Sequence, residues 1–109
     1  MAYNLEVDDR IRETIKDWSG TDAKKMFGGI CHMINGNIMC GVYKDFLILR
    51  LGVENAAVAL KREHVRPFDI TGRAMRGWVM VAPEGFEAKA DLRRWLDQAH
   101  QFVKTLPAK

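Results

Sequence analysis

Apolar residues recur at helical spacing near the start of the chain. Val7, Ile11, Ile15 and Trp18 lie four, four and three positions apart, while Glu6, Asp9, Arg10, Glu13, Lys16 and Asp17 fall largely on the other side. This pattern predicts an amphipathic helix over Leu5 to Trp18, ended by Ser19-Gly20. From Lys24 to Leu51 the period shortens to brief runs rich in Ile, Val, Met and Phe, broken at Gly28-Gly29, Asn35-Gly36 and Lys44-Asp45, as in an antiparallel meander. Lys25-Met26-Phe27 reads as an extra short strand. Gly52 to Lys61 predicts a short helix with Val53, Ala56, Ala57 and Leu60 inward, ended by the charged Lys61-Arg62-Glu63-His64. Pro67 biases Arg66 away from helical dihedrals, so Phe68-Asp69-Ile70 is expected to begin an extended segment and Thr71-Gly72-Arg73 to turn. A strand follows over Gly77 to Ala82 and stops at Pro83-Glu84-Gly85. Leu92, Trp95, Leu96, Ala99, Phe102, Val103 and Leu106 then form the clearest apolar stripe in the chain, a final helix that must be buried.

The turn chemistry predicts the pairing. Asn35-Gly36 suits a type I′ turn, which needs positive φ at both central residues. A tight turn there sets Ile34 opposite Asn37, Met33 opposite Ile38, His32 opposite Met39 and Cys31 opposite Cys40. A second turn at Lys44-Asp45 sets Val42 opposite Leu47 and Cys40 opposite Leu49. In that register Cys31, Met33, Ile38, Cys40, Val42, Leu47, Leu49 and Leu51 share one face, which packs on helices, while His32, Asn37, Met39, Tyr43 and Arg50 share the other. The expected fold is a two-layer α+β domain, an antiparallel sheet packed with helices in the order α-β-β-β-α-β-β-α.

Composition narrows the class without naming a function. The 109 residues are 48% hydrophobic and 28% charged, as in one globular domain over residues 1–109 rather than a disordered chain. A net charge of +3 permits an anionic partner without requiring one. The acidic start, Met1 to Asp9, is unlike a targeting segment, and no apolar run approaches the ~20 residues of a membrane span. With only two cysteines, a reducing, cytoplasmic setting is expected and no disulfide framework.

Few residues carry chemistry. Gly28-Gly29 lacks the spacing of a phosphate-binding loop and reads, with Asn35 and Gly36, as turn geometry. Cys31 and Cys40, adjacent across the predicted hairpin, could serve as a redox pair or soft-metal ligands, but their aliphatic neighbours favour core packing. His32, His64 and His100 show no zinc-motif spacing, so no metal or other cofactor is expected. No nucleophile sits in a recognisable elbow, so no catalytic residue is assigned. Between Lys61 and Arg76, the five basic residues Lys61, Arg62, Arg66, Arg73 and Arg76 face two acidic ones, a local excess of +3. A solvated loop with local ion pairs would account for that charge. Arg50 and Trp78 nearby make the alternative, an interaction surface of Arg50, Arg66, Arg73, Arg76 and Trp78, worth testing.

Lys25-Met26-Phe27-Gly28-Gly29, Leu47-Ile48-Leu49-Arg50 and Gly72-Arg73-Ala74-Met75-Arg76-Gly77-Trp78-Val79, in that order, resemble the N-terminal domain of TfoX/Sxy proteins, regulators of natural DNA-uptake competence. The similarity runs from about Asp8 to Pro107. It implies a secretion-chaperone-like α+β fold and a stand-alone version of a domain that competence regulators typically join to a helical C-terminal one. The function expected from it is a non-enzymatic regulatory domain with a protein partner and no membrane, a homodimer being open. Weak DNA or RNA binding through residues 61–76 ranks second, and a small enzyme on an anionic substrate third.

Overall fold

A computed structural model of the chain describes residues 3–26, 28–69, 72 and 75–108. Its elements are α1 (Leu5–Ile15), β1 (Thr21–Met26), β2 (Gly29–Ile34), β3 (Asn37–Tyr43), β4 (Phe46–Arg50), α2 (Val53–Ala59), β5 (Val65–Pro67), β6 (Trp78–Val81), a 3-10 turn (Pro83–Gly85) and α3 (Lys89–Val103). The six strands form one antiparallel sheet in the order β1-β2-β3-β4-β6-β5. The extra strand expected at Lys25-Met26 exists and is longer, beginning at Thr21. Phe27, the last residue of that expected strand, lies outside the described residues.

Helix α1 starts where Asn4 caps it. The Asn4 side-chain oxygen accepts from the backbone N–H of Glu6 (2.9 Å) and Val7 (3.3 Å), satisfying two donors that the first turn leaves without helical partners. Asn4 also ties the helix to the β3–β4 turn, donating from its backbone to Lys44 O and from its side chain to Asp45. The helix ends at Ile15, three residues short of the expected Trp18, before the positive-φ Gly20. Trp18 instead lies beyond the helix, stacked on His100 with ring centres 4.1 Å apart.

The main core lies between the helices and one sheet face. Val7, Ile11 and Ile15 of α1 and Leu92, Trp95, Leu96, Ala99 and Val103 of α3 meet Ile30, Ile34, Cys40, Val42, Leu47, Leu49, Val79 and Val81. Trp95 keeps its indole N–H satisfied by donating to Gly85 O at 3.0 Å. In α2 only Ala56 and Ala59 are buried; Val53, Ala57 and Leu60, expected inward, face solvent. Two turns are too short to bury a full stripe when α3 already covers the sheet. The short strand after α2 also differs from expectation: it precedes Phe68 and ends at Pro67. As an edge strand it needs no N–H from proline. The opposite edge, β1, is polar and carries Lys24 and Lys25, a composition that discourages pairing with another chain.

Both predicted hairpins form, but one register changes. Asn35 and Gly36 have φ of 51° and 84°, as the type I′ turn requires, and Ile34 and Met33 pair with Asn37 and Ile38. A bulge then intervenes: His32 pairs with Cys40, and Cys31 with Gly41, leaving Met39 as the extra residue of β3. One inserted residue reverses the faces. His32 therefore points into the helix layer rather than away from it, Cys40 stays in the core, and Cys31, Met33 and Ile38 move to the outer face. The expected direct pairing of Cys31 with Cys40 is absent, and the two side chains lie on opposite faces of the sheet. Beyond the bulge, the expected pairs Val42–Leu47 and Cys40–Leu49 are present.

Candidate interaction surface

The strand alternation that buries Leu47, Leu49, Val79 and Val81 turns Phe46, Ile48, Arg50, Trp78 and Met80 to the outer face, joined by Tyr43 of β3 and Arg66 of β5. Among the described residues no helical side chain belongs to the cluster there. Phe68 leaves the edge strand and folds back onto Ile48 and Met80, with Tyr43, Phe46 and Trp78 packed around them. The Phe68 and Trp78 rings lie 5.7 Å apart at 31°.

Each of three cations on this side sits over a ring. The Arg50 guanidinium is 5.5 Å from the ring centre of Trp78, its cross-strand partner. Arg66 is 5.4 Å from Phe46, and the Lys44 ammonium 5.5 Å from Tyr43. At an exposed site such a contact contributes ~0.5–1 kcal/mol, enough to bias a side chain's position but not to bury its charge. The donors therefore remain available to a ligand.

Three of the five residues expected to form a surface converge. Arg50, Arg76 and Trp78, with Gly52, Val53, Gly77 and Phe102, line a cleft of about 110 Å³. Two glycines let its walls meet. The Gly77 carbonyl accepts from Leu51 N–H (2.8 Å) and Gly52 N–H (3.2 Å), and both glycines have positive φ, 87° at Gly52 and 88° at Gly77. A Cβ on Gly52 would stand 2.7 Å from the Phe102 ring. Arg66 shares the outer face without lining the cleft. Arg73 lies outside the described residues, as do Ile70 and Thr71 of the expected extended segment and turn. The basic stretch 61–76 also divides, because Arg62 turns toward α3 and lies 4.5 Å from the Trp95 ring centre.

A second polar group is interior, and the strand pattern misplaces it. His32 Nε2 donates to Asp8 Oδ1 at 2.6 Å, and Arg12 Nε donates to Asp8 Oδ2 at 2.7 Å. Burial pushes the Asp8 carboxyl up, but the hydrogen bonds from Arg12 and His32, reinforced by their charge, outweigh it and hold the group below its ordinary range. One signal for this was present in the sequence: Asp8, four residues before Arg12, falls beside Val7, Ile11 and Ile15 on the buried side of α1.

The cysteines are free and buried. Burial raises the Cys31 thiol to about 12 and moves Cys40 upward as well, so neither is a poised nucleophile. Among the described residues no three His, Cys, Asp or Glu side chains are arranged to hold a metal ion, and no helix is long and apolar enough to cross a membrane. Gly28 has a positive φ of 78°, the turn geometry expected there, and Gly29 opens β2.

A family model described as the TfoX N-terminal domain matches residues 13–103, which include every strand, α2, α3 and the whole outer face. No curated protein and no solved structure matches the chain.

Proposed function

The chain belongs to the TfoX N-terminal domain family, and from that premise we propose that it is a non-enzymatic interaction module. It docks a protein partner on the outer sheet face, within a regulatory assembly of the competence-regulator kind. The observation that supports this reading is the placement of Tyr43, Phe46, Trp78, Arg50 and Arg66 on the sheet face whose apolar cluster, among the described residues, includes no helical side chain, with Arg76 joining Arg50 and Trp78 at a cleft on its border. Tyr, Trp, Phe and Arg are the residues that protein interfaces concentrate at their energetic centres. A sheet holds them in fixed register, so little ordering entropy is left to lose on docking. Among the described residues these arginines have no carboxylate partner, and a partner with acidic side chains complements them.

Nucleic acid is the second reading, because aromatic faces beside cations can stack bases. Two observations weigh against it: cations already lie over the Tyr43, Phe46 and Trp78 rings, and the basic stretch divides between two sides of the domain.

The test is capture of partners by the tagged chain from a lysate of its source cells, compared with Arg50→Glu/Arg76→Glu and with a control, Arg93→Glu on α3. Proteins held by the wild type and the control but lost from the double variant support the docking face. Equal recovery by all three overturns it. Labelled single- and double-stranded DNA, titrated at low and moderate salt, addresses the second reading; tight binding with a steep salt slope would replace the protein partner with a nucleic acid.

A further inference from the structure

We infer that the cleft between Arg50 and Arg76 is a receptor for a single dianionic phosphate group, the chemistry shared by a small phosphomonoester and a phosphorylated side chain. The inference goes beyond the docking reading. It shares residues with that face, but binding requires no macromolecular partner.

Three features converge on it. The first is charge. Arg50 and Arg76 both line the cleft, whose other lining residues are Gly52, Val53, Gly77, Trp78 and Phe102, with no carboxylate among them. Among the described residues neither arginine takes part in an ion pair, in contrast to Arg12, Arg93 and Arg94, each of which has an acidic partner. The undescribed residues contain no Asp or Glu, so the side chains of the whole sequence offer no further candidate. The nearest carboxylates in sequence are Glu54 and Asp69, and neither is paired with Arg50 or Arg76. Two guanidinium groups around one cleft leave an excess charge of two, which a dianion cancels.

The second feature is size. The cleft offers about 110 Å³, several times the room a single water needs, so a tetrahedral oxyanion fits between the two arginines.

The third is pre-organisation. Arg50 is held against Trp78, its neighbour across the β4–β6 pair, and the cleft wall is fixed by the two N–H groups donated to Gly77 O. Gly52 and Gly77 have no side chains to fill the space. Guanidinium groups present planar pairs of donors that match phosphate oxygens.

The experiment is titration of the isotope-labelled, full-length chain with inorganic phosphate, followed by backbone and side-chain NMR at constant ionic strength. Chloride and acetate serve as parallel arms. The expected result is a saturable shift centred on Gly52, Gly77 and the Trp78 indole N–H, with residues around Asp8 and His32 unmoved. Affinity should fall at least tenfold in Arg76→Gln, an exposed position, and stay unchanged in Arg93→Gln. It should rise between pH 6 and 8, where phosphate becomes dianionic. O-phosphoserine, a phosphoserine peptide and a sugar phosphate then distinguish the two sources, whichever binds most tightly naming the ligand. Absence of a saturable shift, equal binding of chloride or acetate, or unchanged affinity in Arg76→Gln overturns the inference. These outcomes are read without any partner, so a failure of docking and a failure of phosphate binding are separate results.

Discussion

His32 and Asp8 meet at 2.6 Å between the sheet and α1, with both side chains almost wholly removed from solvent. Breaking a buried, hydrogen-bonded pair by removing one member leaves the other uncompensated, so Asp8→Ala is expected to destabilise the fold by about 3–5 kcal/mol. The pH dependence follows from the direction of the Asp8 shift. Its carboxyl lies below the ordinary 3.8 when folded, so the unfolded chain takes up the proton first as the solution is acidified. The stability that this group contributes is complete above the ordinary value and is lost as pH falls through the lower, folded one. Denaturant unfolding of wild type and Asp8→Asn from pH 7 to pH 2 should show a gap that narrows in acid. A gap independent of pH would contradict the assignment.

The thiols make a second test. Cys31 sits over Gly41, where an added Cβ would stand 3.4 Å from its sulfur and 2.5 Å from Ile30 O, and Cys40 pairs with His32 and Leu49. Neither should react rapidly with a thiol reagent in the native protein, and both should react once it is denatured. Mild oxidant should yield no intramolecular disulfide. Cys31→Ser is expected to cost about 1–3 kcal/mol if the new hydroxyl finds no partner, and Cys31→Ala less.

Glycines 52 and 72 separate backbone strain from packing. Both have positive φ, 87° and 86°, but among the described residues a Cβ at Gly72 meets nothing within 4 Å whereas one at Gly52 strikes the Phe102 ring. Gly72→Ala should therefore cost roughly 1–2 kcal/mol, the usual penalty for a side chain in the left-handed region. Gly52→Ala should cost more, and partial relief of the excess by Phe102→Leu would identify the ring as its source. Thermal or denaturant unfolding of Gly72→Ala, Gly52→Ala, Phe102→Leu and the double variant Gly52→Ala/Phe102→Leu, beside wild type, decides this.

Much of this architecture was legible because it depends on local rules. The stripe of α3, the start of α1 at Leu5 and the Asn35-Gly36 turn follow from helical spacing and from which residues accept positive φ. Arg50 and Trp78 could be grouped beforehand, since both belong to strands whose alternation is regular, and the β4–β6 register does place them opposite one another. The bulge at His32/Met33 was not legible. Nothing in Ile38-Met39-Cys40 marks where an extra residue will enter β3, and a single insertion exchanged the faces of His32 and Cys31. The stripe of α2 misled for a different reason: Val53, Ala57 and Leu60 have helical spacing, but the sheet surface they would cover is already occupied. Arg62 and Arg66, only four residues apart, parted to opposite sides because a turn and an edge strand intervene, which charge counting along the chain does not detect.

The docking face is tested most directly by site-specific photocrosslinking in cells that express the full chain. A photoreactive residue replaces Phe46 on the outer face in one variant and Glu13 on the solvent side of α1 in another. The account predicts protein adducts from position 46, few from position 13, and loss of the position-46 adducts when Arg50→Glu and Arg76→Glu are added. Adducts of equal yield from both positions, or adducts from position 46 that consist of nucleic acid, would contradict it.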